Sequence, residues 1–527
     1  MSKFRALLLI STLIPLAACG PTDVASPGEG TIVIPPAPPS TPPPPPPPGV
    51  GDPALACPTI AGHSLIDRGV AGTKRVCELP SRFTSNTTLT SVNGVAYQIA
   101  GPVNVGTDCG GDTAAPLAGC QSVELTIQPG ALLVGEGTTS YLVVNRGSRL
   151  LAQGNAANPI IFTARANLNT GATGVTESSQ GLWGGVILLG RAPISDCNTA
   201  VPGGSATCQQ VIEGTTNSLY GGASPNDNSG VLQYVQIRYS GVAIAPGNEL
   251  QGLTMGGVGQ LTTIDHIQVH NSSDDGIEIF GGRPNLKHIV ITGADDDGLD
   301  TDLGYRGTVQ FLLAVQRDTS NGDSMIEADS NGNEDALPRQ YTRVSNATFV
   351  QRSTVQGLNT ILIRGGADYA LLNSVVVGTN NCLDIDGTAG TTARAADAAL
   401  QDLGAPVFRS VVMSCTNPFA NDGNLQAETA TAFGTGTNNN NSAYTPSLAS
   451  VFINGANETA VAVTDPTTFN ADIYAGTGQP NTAAPNRMSA VTYIGAVQNA
   501  ADSWYQGWTC TVSWATIGGG SRACTAL

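Results

Sequence analysis

The chain has few of the charged side chains that cover the exposed faces of soluble helices. Only 12% of its 527 residues are charged, against about 25% in an ordinary globular protein. Lysine occurs three times, at Lys3, Lys74 and Lys287. Because exposed helix faces rely on Lys and Glu for solubility, this shortage predicts a protein with little helix.

Positive charge is also in short supply, since the formal net charge is −17. Affinity for nucleic acid comes mainly from clustered Lys and Arg side chains that contact phosphates. The composition therefore excludes nucleic acid as a default partner. An acidic surface of this kind is better suited to cations or neutral sugars.

The first 19 residues have the layout of an export signal, with Lys3 and Arg5 before an apolar run that is too short to span a membrane as a mature helix. The last four of them, Leu16-Ala17-Ala18-Cys19, resemble the lipobox of bacterial lipoproteins. We therefore predict cleavage before Cys19, attachment of lipid to its thiol, and a membrane as partner through that anchor.

A proline-rich segment follows the signal. It includes the run PPAPPSTPPPPPPP, and proline at this density forms an extended polyproline II spacer. We predict a stalk without a fold of its own over residues 20–55. Residues 56–122 are predicted to form an N-terminal cap containing disulfides, and residues 123–527 the body with a C-terminal cap.

The cysteines besides Cys19 lie in neighbouring pairs. An even number of cysteines in an exported chain indicates disulfides, and the chain has no Cys-x-x-Cys spacing that would favour zinc or a redox motif. We infer nearest-neighbour pairing, although other connectivities are formally open. The inferred pairs are Cys57 with Cys77, Cys109 with Cys120, Cys197 with Cys208, Cys382 with Cys415, and Cys510 with Cys524.

The body repeats itself. Short apolar runs alternate with Gly, Asn and Asp from about Val123, which indicates strands and turns. The repeated pattern consists of a strand, a polar turn and a second strand. When the copies are aligned, the second strands place these residues at equivalent positions: Val242, Ile277, Leu299, Met325, Leu358 and Leu383. The shortest spacing, 22 residues from Ile277 to Leu299, is too short for a propeller blade of about 40–50 residues and indicates a stacked solenoid.

Several phrases resemble right-handed parallel β-helix lipoproteins and secreted proteins of Gram-negative bacteria. They are GALLVG, LVVNRGSRLLAQGNAANPIIFTA, NELQGLTMGGVGQLTTIDHIQVHNSSDDGIEIFGG, ADDDGLDTDLGYRG, TYIGAV and WYQGWT. The resemblance implies an all-β, right-handed parallel β-helix and, with the lipobox, a lipoprotein of the outer membrane at the cell surface. It implies no particular activity.

The same alignment stacks acidic residues. The residues that lie two positions before each aligned residue are Ser240, Asp275, Asp297, Asp323, Gln356 and Asn381. In successive coils, equivalent residues are expected to lie about 4.8 Å apart. Carboxylates so close repel one another, and Ca²⁺ suits a site made only of oxygen ligands. The predicted calcium ligands are Asp275, Asp296, Asp297, Asp300, Asp302, Asp323 and Glu327. The alternative is that these Asp residues merely form turns.

Three functions fit these features. The first is non-catalytic binding of a polysaccharide, a nutrient or a partner such as an outer-membrane receptor through the acidic face, with no catalytic residue assigned. The second is a polysaccharide lyase or glycoside hydrolase, for which carboxyl groups at Asp275, Asp296 and Asp297 are available. The lyase base would come from Arg283, Arg306, Arg317 or Arg364. The third is a structural or adhesive fibre.

Two further sets of residues have less specific patterns. His266 and His288 are 22 residues apart, so they are expected to stack in successive coils, where imidazoles serve as members of a structural ladder or, less often, bind a transition metal. Three of the four tryptophans, Trp504, Trp508 and Trp514, are near the C-terminus. They are predicted to cover an end of the solenoid.

Overall fold

Short strands wind the chain into stacked coils. The computed structural model describes residues 51–527, apart from residues 246, 318–321, 331, 387–391, 422–424 and 473–481. The predicted signal, Cys19 and nearly all of the predicted stalk lie outside the described residues. No helix of the described part is long and apolar enough to cross a membrane.

The strands are β1 (Ile66–Ala71), β2 (Lys74–Glu78), β3 (Arg82–Phe83), β4 (Thr87–Leu89), β5 (Val95–Val105), β6 (Glu124–Ile127), β7 (Leu132–Val144), β8 (Arg149–Gln153), β9 (Ile160–Ala164), β10 (Trp183–Leu189), β11 (Gln210–Val211), β12 (Leu219–Tyr220), β13 (Gly230–Arg238), β14 (Val242–Ala245), β15 (Asn248–Leu250), β16 (Leu253–Gly256), β17 (Thr263–His270), β18 (Ile277–Phe280), β19 (Asn285–Thr292), β20 (Leu299–Asp302), β21 (Thr308–Val315), β22 (Ile326–Ala328), β23 (Tyr341–Val350), β24 (Asn359–Ile363), β25 (Asp368–Val377), β26 (Asn381–Ile385), β27 (Val407–Ser414), β28 (Asn417–Phe419), β29 (Cys510–Thr511) and β30 (Arg522–Ala523). The α-helices are α1 (Leu425–Phe433) and α2 (Ala456–Thr459), and short 3₁₀ turns occur at Arg165–Leu168, Gly171–Thr173, Ala398–Leu400 and Pro466–Phe469.

The coils stack in parallel and form three faces. One face, called the acidic face below, runs through β10, β16, β18, β20, β22, β24, β26 and β28. The other two faces are the first and second halves of the longer strands β13, β17, β19, β21, β23, β25 and β27. The fold is therefore the predicted right-handed parallel β-helix.

Each long strand turns the corner between its two faces at one residue with a left-handed backbone. These residues have φ between 47° and 61°, and they are Tyr234, His266, His288, Phe311, Asn346, Asn373 and Ser410. A side chain other than glycine pays about 1–2 kcal/mol for this conformation. The ladder bonds on both sides of the corner offset that cost, and the corner directs seven side chains of successive coils to one edge.

The core lies inside the coils. Strand residues alternate between inside and outside, so that Ile277, Leu299 and Ile326 stack in register with no more than 1% of any of these side chains exposed. Truncating a buried aliphatic side chain of this kind costs about 2–5 kcal/mol. The helix α1 covers the C-terminal end of the core, where Phe433 packs against Phe408 and Phe419.

The C-terminal segment runs back along the coils. Residues 482–527 are called the strap below. Residues 485–489 contact the first halves of the long strands, and the rest of the strap then runs along their second halves. Gln268 both donates to the carbonyl of Cys510 at 2.9 Å and accepts from its N–H at 2.7 Å. Farther along the strap, Arg238 donates to the carbonyl of Cys524 at 2.8 Å. We call the covered surface the strap face.

The stacked positions differ from the predicted ones in three coils. Leu253 pairs with Ile277, Ile326 with Leu299, and Ile361 with Leu383. The predicted markers Val242, Met325 and Leu358 are therefore wrong. Val242 belongs to a hairpin, β14–β15, that leaves the coil, and Met325 takes the place that glycine has in the two preceding coils.

All five predicted disulfides are confirmed: Cys57–Cys77, Cys109–Cys120, Cys197–Cys208, Cys382–Cys415 and Cys510–Cys524. Parallel pairing begins earlier than the predicted body, because β2 already pairs with β5, and β5 with β7. The segment 56–122 thus contributes coils as well as the antiparallel hairpin β1–β2.

Candidate functional site

The charge of the acidic face comes from outward-pointing side chains on three strands that are neighbours in the stack. Glu278, Asp300 and Glu327 occupy the same register position in β18, β20 and β22. Their neighbours Ile277, Leu299 and Ile326 point into the core. Because the alternation is fixed by the buried residues, the three carboxylates have to lie one above another on the outside.

Two further carboxylates hold the turns that precede these strands. Asp275 accepts a hydrogen bond from the N–H of Asp297 at 2.8 Å, and Asp297 accepts one from the N–H of Ser324 at 2.7 Å. The ladder thus continues to Ser324, and the predicted place of Asp323 in it is wrong. Asp323 lies one position earlier, where its N–H donates to the carbonyl of Asp296 at 3.2 Å.

The long connection between β10 and β13, residues 190–229, covers part of the acidic face. The loop carries Glu213, whose carboxylate accepts a hydrogen bond from the Gln251 side chain. Glu278, which contacts Glu213, is 7% exposed, and Asp275 and Asp297 in the turns before the strands are 6% and 3% exposed. An apolar cluster that includes Ile194, Ile212 and Tyr220 anchors the loop. The carboxylates are therefore removed from water without being placed in the core.

Burial raises the pKa of several carboxyl groups on this face, and the neighbouring carboxylates add to the effect. The pKa of Asp275, Glu278, Asp297 and Asp300 lies well above the usual range. At the edges of the region, burial and Asp296 raise the pKa of Asp274 to about 8, and burial and Asp323 raise that of Asp296 to about 6. Such a site favours a bound positive charge, either protons or a cation.

Three carboxylates of the region converge. Ligand oxygens of Asp275, Glu278 and Asp300 all lie within 4.8 Å of one another. Calcium binds oxygen at about 2.3–2.6 Å, so two ligands of one ion can be up to about 5 Å apart. One oxygen of this group, Oδ1 of Asp300, is buried and has no hydrogen-bond partner. The donor set and the unpaired oxygen both fit Ca²⁺.

Of the predicted calcium ligands, Asp275 and Asp300 thus belong to the convergent group, and Asp297, Asp302 and Glu327 border it. Asp296 and Asp323 lie at its outer edge. Glu278 is not among the predicted ligands, although its register with Asp300 follows from the stacking of Ile277 on Leu299. Glu213 was missed altogether, because no periodic pattern indicates which loop residue returns to a strand.

The four arginines considered as a lyase base all pair with carboxylates. Arg306 binds Asp472 at 2.6 Å, and Arg283 binds the same carboxylate at 3.2 Å. Arg317 pairs with Asp295. Of the four, only Arg364 borders the carboxylates of the acidic face. It pairs with Glu327 and, at 3.2 Å, with Asp329.

Arg364 also stays accessible, since 43% of its side chain is exposed. Among the described residues it is the one salt-bridge partner of the acidic region. It is therefore the only one of the four arginines placed to meet a molecule bound there.

His266 and His288 stack as predicted, with ring centroids 4.3 Å apart. The Nδ1 atoms of His266 and His288 lie 3.0 and 2.8 Å from the same oxygen of Asp265. The histidines hold the pKa of Asp265 well below its usual range despite its burial. The shared carboxylate fits a structural role at the left-handed corners. Ligand atoms of Asp265, His266 and His288 also lie within 4.8 Å of one another, so the group has the spacing of a metal site, and both alternatives stay open.

The tryptophans do not cover an end of the solenoid, so that prediction is wrong. Trp504 and Trp508 lie in the strap, where they pack edge-on against the ring of His266. Trp514 stacks on His270. The reason is that the C-terminal segment turns back along the side of the coils, and the aromatic corner residues supply a surface for it.

A comparison with protein families gives one match: the model of the pectate-lyase-like β-helix domain matches residues 113–509. No curated protein and no solved structure matches significantly. The match covers the strands of the acidic face and most of the strap. The chain therefore belongs to the family of pectate-lyase-like β-helix domains.

Proposed function

We propose that the chain is a calcium-binding β-helix protein that holds a polysaccharide on its acidic face without cleaving it. The observation that supports the proposal is the convergence of Asp275, Glu278 and Asp300 around a buried oxygen that has no donor. A divalent cation offsets the repulsion between these carboxylates. Without one, the fold has to keep them protonated or bear their charge under the loop.

Calcium also supplies the link to a ligand. Ca²⁺ takes six to eight oxygen ligands, and three carboxylates leave positions for the hydroxyl or carboxylate oxygens of a sugar. Side chains at the edge of the region, such as Asp296 and Arg364, are exposed enough to contact a chain laid across successive coils. A nutrient or an outer-membrane receptor presenting similar oxygens would bind by the same chemistry.

Calorimetric titration of the metal-depleted protein with Ca²⁺ tests the site. We expect one calcium site and a rise in melting temperature that a chelator reverses. Asp300→Asn should weaken calcium binding at least tenfold, because it removes a charged ligand without changing the shape of the side chain. The matched control is Asp323→Asn, which lies on the same face but outside the convergent group and should leave the affinity unchanged.

A glycan array probed with the calcium-loaded and the chelated body tests the ligand. Calcium-dependent binding that Asp300→Asn abolishes supports the proposal. Calcium binding without any glycan binding would contradict the polysaccharide part and favour the predicted structural fibre. Equal glycan binding with and without calcium would contradict the role of the acidic face.

The proposed location is the outer membrane, at the cell surface, with the lipid on Cys19 and the proline-rich segment as a stalk. The lipobox and the density of proline support it. Mass spectrometry of the mature N-terminus should find a lipid on Cys19, and Cys19→Ser should release the protein from membranes. Protease applied to intact cells would separate a surface protein from a periplasmic one.

A polysaccharide lyase is the second candidate, favoured by the family match and by Arg364 beside the acidic region. In that case Arg364 would act as the base near a calcium-bound acidic sugar. The absorbance of unsaturated products from acidic glycans would detect the activity. Loss of that absorbance in Arg364→Gln with unchanged calcium affinity would establish cleavage and replace the non-catalytic proposal.

A further inference from the structure

A pocket of about 470 Å³ lies where the strap ends against the first coils. Its size is typical of small-ligand sites, which occupy about 300–1,000 Å³. Leu132 and Ile161 form an apolar part of the wall. They pair with each other in neighbouring strands, and Gln236 occupies the same register position in the following strand of the stack. The strap covers this outward row from Gln236 onwards, and Leu132 and Ile161 line the pocket beside the end of the strap.

The charged side chains that line the pocket are all basic. They are Lys74, Arg238 and Arg522, and no Asp or Glu side chain lines the pocket. Within the described ranges, none of the three cations forms a salt bridge. A basic wall is unexpected in a chain whose net charge is −17.

Arg238 is held rigidly in this wall. It is 2% exposed, and its guanidinium donates to the carbonyls of Cys524 and Ala526 and to the side-chain oxygen of Gln236. All three acceptors are neutral. Burial lowers the pKa of Arg238 to about 10, and the nearby charge of Arg522 acts in the same direction. Like charges are thus kept close together in a place that a bound anion would stabilise.

We propose that this pocket, the strap pocket, binds a small organic anion whose acidic group faces Lys74 and Arg522 and whose apolar part lies on Leu132 and Ile161. Arg238 positions the strap and contributes its charge from the wall. The site is independent of the acidic face, since it lies on another side of the coils and requires no metal.

Butyrate is a suitable probe, because it joins a carboxylate to a short apolar body, and butan-1-ol is its neutral counterpart. Titrations are made with the full chain at low ionic strength and with chelator present, so that the acidic face does not contribute. We expect butyrate to bind and butan-1-ol not to bind. Arg522→Gln and Lys74→Gln should each weaken butyrate binding about tenfold, while folding, followed by circular dichroism, stays unchanged.

Arg82→Gln serves as the control, because Arg82 is exposed elsewhere on the coils and donates only to the carbonyl of Gly106. Butyrate binding in this variant should equal that of the parent chain. Equal binding in Arg522→Gln and Lys74→Gln, equal binding of butan-1-ol, or no binding of butyrate would each overturn the proposal. Inorganic phosphate binding more tightly than butyrate would overturn the role of the apolar wall.

Discussion

The strap face and the acidic face both bury polar side chains outside the same core, but they satisfy them differently. On the strap face, Gln268 exchanges two hydrogen bonds with the backbone of Cys510. On the acidic face, backbone N–H groups reach Asp275 and Asp297, yet Oδ1 of Asp300 is left without a donor. The difference separates a glutamine whose side-chain oxygen and nitrogen are both paired with backbone from a carboxylate oxygen that has no donor, which is the oxygen at the proposed calcium site.

The largest expected effect lies on the strap face. Gln268→Ala leaves the N–H and the carbonyl of Cys510 without their partners, and each unpaired buried group costs about 1–3 kcal/mol. We expect the free energy of unfolding to fall by about 3 kcal/mol, measured by denaturant titration. Gln356→Ala, at an exposed position, is the matched control, with an expected change of less than about 0.5 kcal/mol. An equal loss in both variants would contradict the role assigned to the strap.

A smaller effect is expected from acid, and it too belongs to the strap face. Burial, assisted by the charges of Arg238 and Arg317, lowers the pKa of His270 to about 3. The unfolded chain binds a proton on His270 near pH 6.5. Above that pH the imidazole is neutral in both states and stability is not reduced. As the pH falls from 6.5 towards 3, the unfolded chain takes up the proton and the folded protein does not, so stability is lost. The loss is about 2 kcal/mol at pH 5.

The variant His270→Gln isolates this effect. It should flatten the decrease in stability between pH 6.5 and pH 3, because glutamine does not titrate. Denaturant midpoints at several pH values provide the measurement. A slope that stays the same in the variant would show that other groups cause the acid sensitivity.

The smallest expected effect is on the acidic face, where the change in stability caused by Asp300→Asn should have opposite signs in chelator and in calcium. In chelator, Asp300→Asn should stabilise the protein by about 1–2 kcal/mol, since it removes a poorly solvated carboxylate. In calcium, the parent chain should be the more stable of the two. Melting curves under both conditions provide the measurement. If Asp300→Asn destabilises the protein under both conditions, the two faces do not differ in the way described.

The sequence was sufficient for those features that repeat or lie close together in the chain. The parallel β-helix follows from short strands such as those that begin at Ile277 and Leu299, because a solenoid repeats its core at a nearly constant spacing. The disulfides follow from short separations, such as 11 residues between Cys197 and Cys208. Both features depend on local patterns.

The sequence was not sufficient where a segment leaves the coil and returns. Val242 was misplaced because a hairpin interrupts the repeat before Leu253. Met325 was misplaced because its side chain is buried in the core although the residue occupies a glycine position one step before the stacked Ile326. Glu213 and the strap tryptophans depend on contacts between distant parts of the chain. Such contacts are fixed by packing and leave no periodic signal in the sequence.

The strap also sets the order in which the molecule can be completed during synthesis. Gln268 is followed by 242 further positions before its partner Cys510 appears, and Arg238 by 286 before Cys524. Because the strap is the last of these segments to emerge, in synthesis and in export alike, the coils can form before the segment that covers them is present. During this interval one flank of the nascent solenoid carries an open row of amide groups, which makes it the part of the growing chain that is most exposed to mispairing.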